Sequence, residues 1–239
     1  MDVLVFQLYG PMASWGLPAV GENRFSSDHP SRSALVGLLA AALGIRREEA
    51  QNQAALGRSV RLAVRQLTPG RLIRDFHTVQ VPKRDKKARY ATRKDELEGP
   101  SDRLNTIISR RDYRCDGLWV VGVTITEQSQ WSLEDLKSAL RAPRFTLYLG
   151  RKSCPLAAPL APVVVQTDGL KEALCTDFPL FDEGQRRWLA VEGVSDYFWE
   201  IEAVDMEPQE TRYPEDDVLS RDRWQFRQRA EYHARIKEV

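Results

Sequence analysis

A long charged stretch between two apolar segments is the feature that most constrains the fold of this chain. Residues 80–111 contain one aromatic residue and show no sustained apolar periodicity. They are longer than an ordinary connection within a compact domain. Alternating apolar residues, typical of strands, precede them in Ser59–Leu67 and follow them in Asp116–Thr126. The stretch is therefore predicted to be an exposed insertion, either a disordered loop or a hairpin that projects from the body.

Strand and helix signals surround this insertion on both sides. Val3–Tyr9 predicts a first strand. Ser31 is a suitable N-cap for an apolar helix that would end near Gly44. A second short helix is predicted before the insertion, and after it Ser132 begins a helix with a capping-box pattern. Phe145–Leu149 alternates loosely and predicts a final strand.

The order of these elements predicts an α+β fold. Strand, helix, strand, insertion, strand, helix and strand is the split βαβ order of ferredoxin-like, RRM-like domains. The insertion falls between core strands two and three. We expect a ferredoxin-like core at residues 1–79 and 112–160, the insertion at 80–111 and a C-terminal extension at 161–239. The extension is predicted to be β-rich, and its Arg-rich segment 220–239 has helical potential.

The composition is that of a soluble globular protein, with 42% hydrophobic and 29% charged residues. No apolar run is long enough to cross a bilayer and no secretory signal is visible, so no membrane association is expected. Cys115, Cys154 and Cys175 are odd in number and lack metal-ligand spacing, which predicts reduced thiols in a cytoplasmic protein without a metal. Nucleotide-hydrolysis, dinucleotide-binding and common hydrolase motifs are absent, so no cofactor is expected.

The net charge of +1 conceals an asymmetry along the chain. Residues 1–114 contain 20 Lys and Arg against 12 Asp and Glu, whereas residues 115–239 contain 15 against 22. The first half therefore suits a polyanionic partner. Because cations are also in excess in the long insertion, nucleic-acid contact is favoured over a merely solvated charged surface.

The segment Pro143–Pro155, PRFTLYLGRKSCP, is the most distinctive local pattern. Gly150 can adopt a positive φ, which would turn the chain sharply and expose backbone N–H groups. Such donors beside guanidinium and ammonium groups suit a phosphate, and a tyrosine offers a face on which a base can stack. The candidate RNA-binding residues here are Arg144, Tyr148, Arg151, Lys152 and Ser153. The alternative interpretation is a strand that ends in a basic surface turn.

Two further places carry candidate RNA contacts. Arg32 and Ser33 lie at the start of the first helix, where free backbone N–H groups favour a phosphate. Alternatively, Ser31 and Ser33 cap the helix and Arg32 is a solvated charge. His77 stands where a strand enters the insertion and could contact RNA or act as a general acid or base. No second histidine is placed convincingly beside it, which disfavours catalysis.

Five segments, in this order, resemble the Cas-five family of CRISPR-associated proteins in its type I-E Cascade branch. They are GPMASWG (10–16), PSRSALVGLLAAALGI (30–45), RDFHTV (74–79), SRRDYRCD (109–116) and PRFTLYLGRKSCPL (143–156). The resemblance covers about the first two thirds of the chain. It implies a ferredoxin-like RAMP domain whose insertion forms a β-hairpin thumb. It also implies a non-catalytic subunit that holds and caps the 5′ handle of the CRISPR RNA (crRNA) in antiviral defence.

The same resemblance implies partners and RNA contacts. The partners would be crRNA, the Cascade backbone subunit and the large PAM-reading subunit, with target DNA contacted only indirectly. In SRRDY, Arg111 matches the arginine at the base of the thumb that contacts handle nucleotides, and Arg110 beside it is also a candidate RNA contact. The YLGRKS turn matches the family's handle-gripping turn, and Arg32 and Ser33 match the start of its first helix. Ala34 departs from the family, which commonly has glycine there.

Two other functions remain open from the sequence. In another branch of the family the equivalent subunit cleaves precursor RNA without metal, and His77 with Tyr90 or Lys87 would be the candidates here. The chain could also be a protein-interaction adaptor, which would show no RNA affinity and no salt dependence.

Overall fold

The structure is a computed structural model of the 239-residue chain. It describes residues 1–19, 21–83, 88–98, 103–178, 183–189, 193–201, 203–220, 223 and 225–237. Within these residues, no helix combines the length and the apolar character needed to span a membrane.

A seven-stranded antiparallel sheet forms the centre of the molecule. Its strands are β1 (Asp2–Tyr9), β3 (Val60–Thr68), β6 (Leu118–Ile125), β7 (Val163–Gln166), β8 (Val194–Trp199), β9 (Glu210–Arg212) and β12 (Glu231–Lys237). They lie in the order β7-β1-β6-β3-β8-β12-β9, and every neighbouring pair is antiparallel. The protein is therefore a strand-rich mixed α/β structure.

The predicted helix caps are confirmed. The helices are α1 (Arg32–Leu43), α2 (Ala50–Ser59), α3 (Arg93–Leu97), α4 (Leu133–Arg141), α5 (Leu170–Leu174) and α6 (Glu183–Trp188). The Ser31 side chain accepts from Ala34 N, and Gly44 ends α1 with φ of 80°. Ser132 and Asp135 form the predicted capping box at the start of α4. These local side-chain bonds fix where both helices begin, because they satisfy donors that the helix itself leaves free.

Strand alternation sends apolar side chains to two separate clusters, one on each face of the sheet. On one face, Leu4, Phe6 and Leu8 of β1 pack with the apolar sides of α1 and α4. On the other face, Val3 and Val5 pack with α5. Helix α1 is thus held against the sheet along its length, and this fixes its N-terminus in space.

Phe145–Leu149 is not a strand, contrary to the prediction. The backbone N–H groups of Arg144 and Phe145 donate to carbonyls at the C-terminal end of α1, and the Leu149 carbonyl accepts from Ser14 N. The alternation in the sequence has another cause, since Leu147 and Leu149 are buried in the core while their neighbours are exposed. The strand beside β1 is instead β7, which follows a loop.

The inserted stretch contributes to a second sheet, termed the ribbon, of β2 (Asn23–Arg24), β4 (Arg71–Pro82) and β5 (Leu104–Cys115). Strands β4 and β5 pair antiparallel from Arg71–Cys115 at the root to Pro82–Leu104. The paired strands therefore extend further toward the body than residues 80–111. Residues 84–87 and 99–102 lie outside the described part, and Lys87 is among them.

The C-terminal segment adds strands to the central sheet. Strand β8 pairs with β3, and β12 lies between β8 and β9. Strands β10 (Glu215–Ser220) and β11 (Gln225–Gln228) form a separate hairpin. The predicted helical potential of 220–239 is therefore wrong for the described residues: β12 pairs with β8 and β9 and buries Glu231, His233 and Ala234, so tertiary pairing overrides local propensity.

Candidate nucleic-acid interface

Two of the charged motifs face each other across the ribbon. The register places RDFHTV (74–79) opposite SRRDY (109–113), with the pairs Arg74–Asp112, Asp75–Arg111, Phe76–Arg110 and His77–Ser109. Arg74 donates from Nε and Nη2 to the two carboxylate oxygens of Asp112, at 2.7 and 3.0 Å. Both residues belong to the ribbon, so this forked ion pair ties β4 to β5 at the root, where Asp112 is buried.

Arg110 and Arg111 project from opposite faces of the ribbon, because consecutive strand residues alternate and directly opposite residues share a face. The Arg111 face is formed by Ile73, Asp75, His77, Ser109, Arg111 and Tyr113. The Arg110 face is formed by Arg74, Phe76, Arg110 and Asp112. Arg110 lies over the Phe76 ring at 5.8 Å and donates to Glu22, at 3.2 Å. Within the described part of the chain, Arg111 donates only locally, to Ser109 Oγ at 3.1 Å. An RNA strand that lies along one face of the ribbon can therefore contact only one of the two arginines directly.

The basic turn after α4 packs on the ribbon root. Gly150 has φ of 81°, as predicted, and a Cβ there would lie 2.0 Å from the Ser14 carbonyl oxygen. Ser14 in turn donates from Oγ to the Asp112 carbonyl at 3.0 Å. Arg151 reaches the Arg111 face, where it donates to the Tyr113 hydroxyl at 3.2 Å and lies 5.0 Å over its ring. Turn and ribbon therefore meet at Ser14 and Tyr113.

The other predicted residues of the turn are exposed but divide between two places. Tyr148, Lys152 and Ser153 are exposed around the turn. Arg144 lies at the C-terminal end of α1, where its side chain covers Gly44. Ser33 is at the opposite end of α1, which at 12 residues is about 18 Å long. Arg144 and Ser33 are therefore separated by the length of the helix.

An open cleft of about 610 Å³, termed the α1 cleft, runs along α1 between these places. Its lining includes Ser33, Ala34, Gly37 and Ala41 from the helix, Tyr148 and Gly150 from the turn, Arg24 from β2, and Glu215, Asp216 and Phe226 from the β10–β11 hairpin. Small side chains on the helix let another chain approach its backbone. Ala34, where the family commonly has glycine, still leaves the cleft open. Ser33 and Tyr148 are thus brought to one surface, as the RNA-binding prediction requires.

Arg32 does not lie on that surface as a free cation, and its predicted role as a phosphate ligand requires correction. Its side chain is 8% exposed and forms ion pairs with Glu200 and Asp217. Its backbone N–H donates to Asp216 Oδ2 at 2.7 Å, so a carboxylate already occupies the N-terminus of α1. Arg229 donates to both oxygens of Asp216 and pairs with Glu231. The start of α1 is therefore an internal charge cluster, which consists of Arg32, Glu200, Asp216, Asp217, Arg229 and Glu231.

His29 extends this cluster toward the sheet. Its ring stacks on Phe198 at 3.7 Å between centroids, and its two nitrogens face Asp28, at 2.7 Å, and Glu231, at 3.3 Å. Burial lowers the pKa of His29, but the hydrogen bonds to Asp28 and Glu231 outweigh burial and raise the pKa to about 8. The histidine is therefore a cation that joins the loop before α1 to β12.

The raised pKa predicts a stability that falls with rising pH. A group whose pKa rises from 6.5 to about 8 on folding stabilises the protein fully below pH 6.5 and loses this contribution as pH passes about 8. The difference in unfolding free energy between the wild type and His29→Gln should therefore shrink by about 2 kcal/mol across that window. Urea unfolding at successive pH values measures it. Asp28→Asn removes one of the two carboxylates and should halve this change in unfolding free energy. A His29 titration midpoint at or below pH 6.5 by NMR would contradict the raised pKa.

The described residues do not assemble a catalytic group around His77. The ring is half-exposed on the Arg111 face, and Nδ1 lies 3.6 Å from Asp75 Oδ2. Tyr90 is exposed and forms no hydrogen bond with His77 among the described residues, and Lys87 lies outside them. No group of three or more metal-ligating side chains occurs in the described ranges. His77 shares the Arg111 face of the ribbon.

Three residues of the interface were missed in the sequence. Tyr113 joins the turn to the ribbon, Ser14 joins the loop to both, and Arg24 lines the α1 cleft beside the ribbon. The sequence did contain a signal for Tyr113. It follows RRD (110–112), whose charges are complementary to those of RDF (74–76) when the two segments pair in antiparallel register. Nothing local marked Ser14 or Arg24.

Comparisons with known proteins place this geometry in a family. A family model described as CRISPR-associated protein (Cas_Cas5) matches residues 3–235. The chain is 35% identical over 185 residues to the CRISPR system Cascade subunit CasD of Escherichia coli (strain K12), with 74% of this chain and 77% of that protein covered.

Solved structures agree with the sequence relatives. A chain described as CRISPR RNA-guided surveillance complex superposes with a TM-score of 0.66 at 26% identity and covers 99% of this chain and 90% of its own. A crystal structure described as a Cas protein superposes with a TM-score of 0.55 at 24% identity, over 98% and 94% of the two chains, and supports the fold alone.

Proposed function

Because the chain belongs to the CRISPR-associated Cas5 family, we propose that it is the RNA-binding subunit that holds and caps the 5′ handle of crRNA in a type I-E Cascade surveillance complex. Its work is antiviral defence. The Cascade subunit of E. coli and the solved surveillance complex, both similar over most of this chain, support that role.

The observation that carries this proposal is the Arg111 face with the turn seated against it. Arg111 and His77 share that face, and Arg151 reaches it through Tyr113. A single strand lying there would meet cations for its phosphates, with Tyr148 available nearby as a stacking surface in the α1 cleft. Lys152 and Ser153, exposed on the same turn, extend the RNA-binding set.

A ferredoxin-like RAMP core with a thumb is the fold that we infer for this function. The antiparallel order β7-β1-β6-β3, with α1 and α4 on one face, supports the core. The ribbon strands β4 and β5 lie between β3 and β6 along the chain. This order supports a thumb at residues 80–111 between the core segments 1–79 and 112–160. In this proposal 161–239 is an extension, although its strands join the core sheet.

We further propose that the subunit does not cut RNA, because His77 has no described acid or base partner other than Asp75. Its partners would be the Cascade backbone subunit and the large PAM-reading subunit, which brings target DNA near only indirectly. The complex would act in the cytoplasm, where free Cys115, Cys154 and Cys175 stay reduced.

Arg111→Ala should weaken binding of RNA that carries the handle about tenfold, and more than binding of RNA with a scrambled handle. Arg110→Ala is the matched control, since it removes an equal charge from the other face of the ribbon, where Arg110 is already paired with Glu22. Filter binding at a fixed salt concentration measures both variants. The wild type should also return the handle RNA intact on a denaturing gel without metal.

Three results would contradict parts of this proposal. Equal losses for Arg111→Ala on both RNAs would reduce Arg111 to a phosphate contact. RNA affinity that is absent, or unchanged by salt, would favour an adaptor that binds only proteins. Specific cleavage that disappears in His77→Ala would make the protein a nuclease.

A further inference from the structure

A second pocket, with no lining residue in common with the α1 cleft, lies where the ribbon joins the sheet. Its volume is about 470 Å³. It is bounded by the end of β3, the start of β4, the last residue of β5 and facing residues of α6, β8 and β12. A cavity of this size is within the range of small-ligand sites. Its polar groups indicate the ligand chemistry.

A buried amide in this pocket lacks a partner. Gln66, on β3, is 4% exposed, and its Oε1 forms no hydrogen bond in the described part of the structure. Burying an unpaired acceptor costs roughly 1–3 kcal/mol, so a native protein rarely leaves one without a purpose. An N–H group on a ligand would satisfy this oxygen.

Two cations in the pocket also have no partner among the described residues. Neither the Arg71 nor the Arg235 guanidinium forms a hydrogen bond or ion pair with another described residue. The carboxylates beside them are engaged elsewhere: Asp196 Oδ1 lies 2.9 Å from His233 Nε2, and the Asp116 carboxylate accepts from the Tyr9 hydroxyl. The two guanidinium groups therefore keep N–H donors for an anion, while the two carboxylates balance their formal charge.

An exposed aromatic residue completes the lining. Trp188 ends α6 and is 69% exposed. An indole left open to solvent at a pocket mouth is a platform for a flat ring. An N–H acceptor, a stacking surface and two guanidinium groups together match a nucleotide, which has a base with N–H donors, a π face and a phosphate.

We propose that this pocket binds one nucleotide unit, with the base stacked on Trp188, a base N–H donating to Gln66 Oε1 and the phosphate held by Arg71 and Arg235. The inference deepens the proposed function and rests on it, because RNA bound along the Arg111 face would supply the nucleotide. Arg71 and Cys115, which line the pocket, form the pair that begins that face. The nucleotide could be an unpaired residue of bound RNA or a free mononucleotide, and the experiment separates the two.

Trp188→Ala and Gln66→Leu test the pocket. Each should weaken handle-RNA binding about tenfold if the nucleotide belongs to the RNA. Tyr213→Ala, which removes another exposed aromatic side chain outside the pocket, should leave binding unchanged. AMP, GMP, CMP and UMP are also titrated into the wild type while tryptophan fluorescence is recorded, with Trp188→Ala as the blank. Saturable quenching that is lost in the blank would identify a free mononucleotide as a ligand.

The outcomes separate this inference from the proposed function. If the wild type binds handle RNA, both variants bind it equally well and no mononucleotide quenches Trp188, the pocket is not a nucleotide site and the proposed function stands. If the wild type fails to bind handle RNA, the proposed function is wrong, and the mononucleotide titration alone decides the pocket. Leucine at position 66 has about the volume of glutamine, and Trp188 is exposed. Both variants are therefore expected to fold, so that a loss of binding reports on the pocket.

Discussion

Gly150→Ala should destabilise the protein by about 3 kcal/mol and lower its affinity for handle RNA. Two costs add here. The backbone φ of 81° is unfavourable for any residue with a Cβ, and the new Cβ would lie 2.0 Å from the Ser14 carbonyl oxygen. Because a backbone atom cannot swing aside as a flexible side chain can, the turn must move away from the ribbon root. Arg151 would then lose Tyr113, and the Arg111 face would lose one of its cations.

Gly16→Ala is the matched control for this variant. Gly16 lies on the same loop as Ser14, and a Cβ there would have no heavy atom within 4 Å. Its unfolding free energy should stay within about 0.5 kcal/mol of the wild type. Thermal and urea unfolding compare the two variants, and filter binding follows the RNA. Indistinguishable melting curves for the two alanine variants would show that the turn is not packed tightly against Ser14.

Arg32→Met should cost about 3 kcal/mol of stability, because it removes the nearest cation from buried Glu200 and leaves Arg229 at 3.7 Å as its cation. The Glu200 side chain is 9% exposed and pairs with Arg32, and the Gly57 carbonyl would also lose its donor. Arg58→Met is the control, since Arg58 is exposed on α2 and should change stability by less than about 0.5 kcal/mol. Urea unfolding gives both values.

The double variant Arg32→Met, Glu200→Leu should recover part of the lost stability, since removing both charges leaves neither one buried alone. A double-mutant cycle should therefore show a coupling of at least about 1 kcal/mol between these positions. At temperatures where Arg32→Met remains folded, it should bind handle RNA within a few-fold of the wild type. A variant that melts normally but no longer binds RNA would return Arg32 to the RNA surface.

Features set by local chemistry could be predicted from the sequence. The caps at Ser31 and Ser132 and the left-handed glycines at positions 44 and 150 depend on a few neighbouring atoms. Strands that are apolar runs between turn signals, such as β1 and β6, were predicted to within about two residues. In each case the deciding interaction lies within a few residues along the chain, or comes from burial of an apolar run.

Features set by distant pairing could not be predicted in this way. Arg32 has the local pattern of a helix-terminus anion site, yet its partners come from 168 and 185 residues away. Phe145–Leu149 alternates because two leucines enter the core, and its backbone is bonded to α1 and Ser14 rather than to a strand. The opposite faces of Arg110 and Arg111 follow only once the β4–β5 register is known.

The position of β12 within the sheet also orders the assembly of the molecule during synthesis. Strand β9 is attached to the central sheet only through β12, and His29 meets Glu231 on that same strand. The ribbon, the turn and most of α1 leave the ribosome long before that strand. A nascent chain can therefore form the ribbon and the turn while the carboxylate of Glu231 is still untranslated. Once residues 229–237 are released, β12 can pair with β8, and Arg229 can pair with Asp216. These contacts join residues that are distant in sequence, which slows folding.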